Sequence, residues 1–380
     1  MAVAQFIAGA EGFDIYGSGN IPANYPWFVT DATRQGQINP TAGAFGGSAL
    51  TFPMSGLSAS LASGFEYQFP SSLVMTRGNT AANGKGVFAI NGWLNVSSMT
   101  TGSGTLLGLG TAGATGVAYP LLNISQSATA GTNLQFVTNI NSPSSAPYNF
   151  NIQLNTYYWI SMQFAFYSTS SATSSAVLLA TYTINGTTIQ QDIPVTWGGD
   201  VFTSVQFANR LKFYASNFIT HFWDDVVVQA VSGADTNWPL AGGVNPTPEA
   251  VPTISARRIY AVSASANGSL SQWTPSGAQP NWQSATDPTG ANYVTATDTA
   301  LTDTYKWSAP AVSDVRAVVI RGNSNRFQNV NGSFKASGGA LTQMPTNNGP
   351  SRYIGVCEND GTNAWTQTSI NAAEFGQTSK

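Results

Sequence analysis

Apolar residues recur at roughly every second position along this chain, in short runs, and the runs stop at clusters of Gly, Ser, Asn and Pro. GVFAINGWLNV (86–96), TYYWISMQFAFY (156–167), AVLLATYTING (176–186) and THFWDDVVVQAV (220–231) are rich in aromatic and β-branched residues. That composition, with a period near two, predicts strands half-buried on one face. Asn185–Gly186 between two such runs predicts a two-residue hairpin turn, because both central residues of that turn need positive φ. No segment carries a sustained helical stripe behind a capping residue, so helix is expected only in short turns. The expectation is an all-β protein: a jelly-roll sandwich followed by a smaller β-sandwich-like domain.

The pattern breaks at 232–255, SGADTNWPLAGGVNPTPEAVPTIS, where Pro239, Pro246, Pro248 and Pro252 interrupt any regular element. We read 1–231 as the first domain, 232–255 as a linker and 256–380 as a second domain. The second has its own strands, RRIYAVSAS (257–265), AVVIRGN (317–323) and SRYIGVCEN (351–359), and its own aromatics, Trp273, Trp282, Trp307 and Trp365. At 380 residues, two cores rather than one are also what chain length predicts.

Composition narrows the chemistry. Charged residues make up 8% of the chain, against about 25% in an ordinary soluble domain. Aromatics stand at 12% and the net charge is −3. No basic patch marks a nucleic-acid or anionic membrane partner, and no apolar run approaches the roughly 20 residues of a membrane helix. The N-terminal MAVAQFIAGAEGFDIYG lacks a basic residue ahead of its apolar stretch and does not read as a secretory leader. The sequons at Asn95, Asn123, Asn185, Asn267 and Asn331 therefore read as turn and strand residues. The single Cys357 can form no internal disulfide, and the composition calls for no cofactor. Scarce charge suits surfaces that stay packed against other subunits, since charge there must be desolvated.

Catalytic groups are correspondingly few. The five glutamates at 11, 66, 249, 358 and 374 include no strand-borne carboxylate pair of the kind that glycoside hydrolysis uses, and the Glu358/Asp360 pair lies in ENDGTN, a turn. His221, the only imidazole, sits between Thr220 and Phe222 and reads as a packed strand residue. No enzyme is expected. Trp27, Tyr119, Tyr148, Trp197 and Trp238 lie beside Pro or Gly in stretches that read as loops. They are candidates for stacking on a glycan or for anchoring an interface.

GFDIYG (12–17), AFGGSALTF (44–52) and FITHFWDDVVVQ (218–229), in this order, resemble the concanavalin-A-like, laminin-G-like jelly-roll superfamily over about the first 230 residues. That resemblance implies two readings of Asp224 and Asp225. One of them holds a calcium ion with Glu11 or Asp14, or the two serve as a backbone hydrogen-bond acceptor and a solvent-facing charge. NGSLSQWTPSGAQPNWQSATD (267–287), TDTYKW (302–307) and GTNAWTQTSINAAEFG (361–376) resemble the C-terminal region of tailed-bacteriophage virion proteins. The Asn/Gly-rich stretch 322–350 departs from that pattern. Together the resemblances imply a virion structural protein without catalysis: a capsid decoration, head fibre or tail-associated subunit assembled in the host cytoplasm. Its partners would be copies of itself and other virion proteins, and neither nucleic acid nor membrane. The alternative they imply is a receptor-binding tail protein that recognises host-surface glycan.

Overall fold

The computed structural model describes residues 7–14, 18–20, 27–29, 36–54, 65–68, 75–76, 85–110, 118–127, 131–136, 148–168, 176–196, 206–208, 210–215, 217–232, 258–287, 291–323, 330–344, 346–348 and 352–380, some of the strand residues by backbone alone. The chain divides into two compact units, Ala10–Ile259 and Tyr260–Lys380, the latter together with Met1–Gly9. Of the expected linker 232–255, Ser232 ends the strand Ile219–Ser232 and the rest lies outside the described residues. Among the described residues no helix is long and apolar enough to cross a membrane.

The larger unit is a β-sandwich with jelly-roll character. One sheet has nine strands, eight of them in the order Thr187–Thr196, Ala176–Ile184, Tyr157–Ser168, Lys85–Met99, Ile219–Ser232, Ala49–Phe52, Gln37–Asn39 and Gly19–Asn20. The facing sheet has seven, in the order Tyr148–Ile152, Gly131–Phe136, Ala118–Ser127, Gly102–Gly110, Arg210–Phe213, Phe65–Gln68 and Trp27–Val29. The four long runs read from alternation all lie in the first sheet. The Asn185–Gly186 turn forms as expected: Ile184 pairs with Thr187, and the two turn residues have φ of 49° and 80°.

Aromatic rings join the two sheets. Phe136 stacks on Tyr182 at 4.5 Å, and Phe213 meets Trp223 edge-on at 5.8 Å. Leu122, Leu134, Phe65, Leu211, Phe52, Ile160 and Met162 fill the space between and are buried to within 1% of completely. Each fully buried side chain of this kind stabilises by roughly 1.5–3 kcal/mol relative to exposure. The alternation that placed these residues inward leaves every second residue of the seven-stranded sheet on the opposite face.

The smaller unit has a five-stranded antiparallel sheet ordered Ala264–Ser271, Thr302–Trp307, Glu374–Ser379, Val330–Lys335 and Leu341–Gln343. A three-stranded sheet, Val318–Asn323, Arg352–Cys357 and Thr346–Asn348, accompanies it. Phe334, Phe375, Trp365, Ile320 and Met344 form its core. One detail differs from the sequence reading. Residues 258–263 form no strand; the Ile259 N–H is instead bonded to the Asp225 carboxylate at 2.8 Å. The run after Trp365 starts as the short helix Gln367–Ala372 because Thr366 and Ser369 cap each other's backbone, a local solution available before any ladder.

Candidate functional site

The seven-stranded sheet positions an uncharged polar lattice. Asn149 pairs with Gln135, Gln135 with Asn123, and Asn123 with Thr105. One step along, Asn151 pairs with Asn133, Asn133 with Ser125, and Ser125 with Ser103. Their strand neighbours Leu134, Phe136, Ile124 and Leu122 are buried between the sheets. The pleat therefore turns these two rows away from the core. Asn149, Asn151 and Ser103 are exposed; Asn123, Ser125, Asn133 and Gln135 are half-buried. Gln135 Nε2 donates to Asn149 Oδ1 at 3.1 Å, which sets the amide orientations along the row.

Irregular pairing carries the same face onward to the charged residues. Leu122 pairs with Leu107, and Asn123 with Thr105, so Leu106 is an extra residue; Leu121 is another, because Pro120 pairs with Gly108. Leu107 also pairs with Phe213, which is packed in the core. Lys212 and Arg210 thus share the outward face with the amide rows. Lys212 pairs across the ladder with Glu66, and Arg210 with Gln68. Lys212 Nζ lies 3.0 Å from Glu66 Oε1, with both side chains fully buried, and Arg210 Nη1 lies 3.7 Å from Glu66 Oε2. Arg210 also sits 3.7 Å over the Phe28 ring. The sequence reading names Glu66 and Asn123 without giving either a place in a site, and the others not at all. The signal was present in the alternate amides of TNLQF and YNFNI and in RLKF.

A second polar corner is built at the irregular pairing in strand Ile219–Ser232, between Asp224 and Val227. Asp225 there has φ of 48°. Asp224 Oδ2 accepts from Ala44 N at 2.8 Å, and Asp14 Oδ1 from Ser48 N at 2.7 Å. Gly43 and Gly47 let this loop approach: a Cβ on Gly47 would stand 2.6 Å from Asp14 Oδ1. Burial, with Asp224 nearby, pushes Asp225 up to about 8; burial likewise pushes Asp224 up to about 6. Glu11 accepts from Trp27 Nε1 at 2.9 Å and from Phe13 N. The implied calcium does not fit this arrangement. Each of these carboxylates already accepts from at least one N–H donor, and among the described residues no group of three or more His, Cys, Asp or Glu could hold a metal ion.

The aromatic candidates fall elsewhere. Trp27 is no loop residue: it opens strand Trp27–Val29, is completely buried, and stacks on Phe65 at 4.7 Å. A proline at 26 blocks ladder bonding only at its own position, so the strand starts directly after it. Tyr119 and Tyr148 are ladder residues, opposite Leu109 and Phe136, and not in loops. Pro120, which suggested a loop, occupies the irregular stretch of its strand. Trp197 and Trp238 lie outside the described residues. His221 is fully buried, stacks on Phe52 at 4.9 Å, and donates Nε2–H to the Tyr214 carbonyl at 3.0 Å. Burial lowers its pKa to about 4, so it is neutral at pH 7. Glu358 and Asp360 flank a turn, where Asp360 Oδ1 accepts from Thr362 N and Asn363 N.

No protein-family model matches the chain, and no curated protein does. Among solved structures it is similar to the alginate lyase Aly36B, solved with an alginate tetrasaccharide (15% identity over 61% of this chain and 99% of that one, TM-score 0.37). It is also similar to the marine PL-14 alginate lyase from Aplysia kurodai (11%, 60% and 99%, TM-score 0.32). A third is the Trypanosoma rangeli sialidase (11%, 56% and 30%, TM-score 0.30). The all-β sandwich is read from the strands themselves and not from these likenesses, whose TM-scores all lie below 0.5.

The expected phage virion subunit, its tail receptor-binding alternative, and the expectation of no enzyme are corrected here. The neighbours found are alginate lyases and a sialidase, not virion proteins. The physical reason is that neutral composition does not discriminate: a subunit contact and a sugar-binding face both favour uncharged polar groups. A search for paired carboxylates and imidazole also passes over Lys and Tyr, which serve equally as general acids and bases.

Proposed function

We propose that the chain is a carbohydrate-active jelly roll that lays a polysaccharide across the outward face of its seven-stranded sheet. The observation that supports this most is the pair of in-register rows, Asn149–Gln135–Asn123–Thr105 and Asn151–Asn133–Ser125–Ser103. Sugar hydroxyls both donate and accept, and each amide side chain offers both functions in one planar group. An uncharged lattice gives up its water at modest cost, where a charged one would not. From strand Tyr148–Ile152 to strand Arg210–Phe213 the face crosses four ladder steps, roughly 19 Å at about 4.8 Å each. That is room for an extended oligosaccharide.

Affinity electrophoresis of the full chain in gels containing neutral and acidic polysaccharides tests the reading, alginate and polygalacturonate among the acidic ones. Retardation by at least one polymer is expected. Gln135→Ala with Asn149→Ala should weaken it about tenfold, the equivalent of two ordinary hydrogen bonds. Reducing-end release and viscosity loss from the retarding polymer measure turnover. No retardation by any polymer, or retardation unchanged in the double variant, refutes the site.

A further inference from the structure

Resting on the polysaccharide reading above, we infer that Arg210 is the seat of a sugar carboxylate, so that the bound polymer is a uronate-containing one. The guanidinium is placed rather than merely buried. The residue is 8% exposed and lies on the same outward face as the amide rows, stacked on Phe28. Its Nε and Nη1 are buried and meet no hydrogen-bond acceptor. Among the described residues the carboxylate near it is already engaged: Glu66 Oε1 is held by Lys212 at 3.0 Å, leaving Arg210 the other oxygen at 3.7 Å.

Arg210 is thus left with two unmade hydrogen bonds inside the protein. Burying a charge with unmade hydrogen bonds is strongly unfavourable unless something supplies the missing acceptors. Desolvation indeed holds the Arg210 pKa below its ordinary value, with Glu66 opposing in part. A carboxylate matches what is missing, since guanidinium offers parallel N–H groups at the spacing of two carboxylate oxygens. Across the ladder Arg210 pairs with Gly110 and Lys212 with Gly108, two positions that carry no side chain. The polymer would meet the amide rows through its hydroxyls and Arg210 through its acid group.

The test compares polygalacturonate with the same polymer after its carboxyls are reduced to primary alcohols. Wild-type protein should bind the acidic form at least tenfold more tightly. Arg210→Gln should remove that preference, so that the variant binds the two forms alike. Arg210→Lys keeps the charge without the planar fork and should recover only part of it. Free galacturonate, but not galactose, should raise the melting temperature of the unmutated chain, which keeps the question answerable if the variants fold poorly. If the two forms bind alike and Arg210→Gln changes neither, the carboxylate seat is wrong while the sheet-face reading stands. If neither form nor any other polymer binds, the underlying reading fails.

Discussion

Asp225 combines a left-handed backbone, near-complete burial and a carboxyl oxygen, Oδ2, without a hydrogen-bond partner. Its pKa near 8 means that the folded state binds a proton which the unfolded chain, with an ordinary aspartate, has already lost. Stability should therefore be greatest where the group is protonated in both states, and fall as pH rises through about 8. Asp225→Asn keeps an acceptor for Ile259 N and tolerates positive φ, so its melting temperature should exceed wild type at pH 9 and the pH slope above neutrality should flatten. His221 acts in the opposite direction: its pKa near 4 lies below the unfolded value, so its contribution is lost as pH falls from about 6.5 to 4. His221→Gln can still donate to the Tyr214 carbonyl but cannot titrate. It should lose about 1–3 kcal/mol through the lost stacking on Phe52 and show less acid sensitivity over that window, with polysaccharide binding retained. Melting curves from pH 4 to 9 check both variants. His221 was readable as a packed strand residue because it alternates with Phe222, which is half-buried on the other face. Trp27 was misread because a neighbouring proline says where a ladder cannot bond, not whether the next ring is exposed.

Elements were legible wherever alternation was unbroken. The runs at 86–96, 156–167, 176–186 and 220–231 all form strands, and Asn185–Gly186 turns the chain where expected. What alternation could not reveal is the pair of irregularities at Leu106 and Leu121, because one extra residue on a strand switches which face its later side chains occupy. Without them, Asn123 and Lys212 cannot be placed on one surface, so the candidate site stayed invisible although each strand was readable. The helix Gln367–Ala372 is of the short kind expected, closed at its start by a reciprocal cap. Close strand approach makes a further prediction in the smaller unit. Gly376 lies mid-strand, paired with Thr304 and Ser333, and a Cβ there would fall 1.9 Å from the Asp303 carbonyl oxygen. Gly376→Ala should destabilise that unit by about 3 kcal/mol, read as a drop in the denaturant midpoint. Gly338, with open space around it, is the comparison position, although its own φ of 68° makes alanine mildly strained there.

For the whole molecule, composition pointed at one half of a real dichotomy. Scarce charge and abundant amides describe a surface meant to be covered, by protein or by sugar, and the sequence alone favoured protein. The sandwich organises those amides into rows on a single sheet face, with a buried, incompletely paired arginine at its far side. That organisation is a property of register, which no local motif encodes. It also explains why neither acid pairs nor loop aromatics mark the place. The account stands on polysaccharide binding at this face, and equilibrium binding of neutral and acidic polymers to the full chain, before and after Gln135→Ala with Asn149→Ala, tests it most directly. The predicted result is saturable binding weakened about tenfold by the double variant at unchanged melting temperature. Binding that is absent, or that the double variant leaves intact, would contradict it.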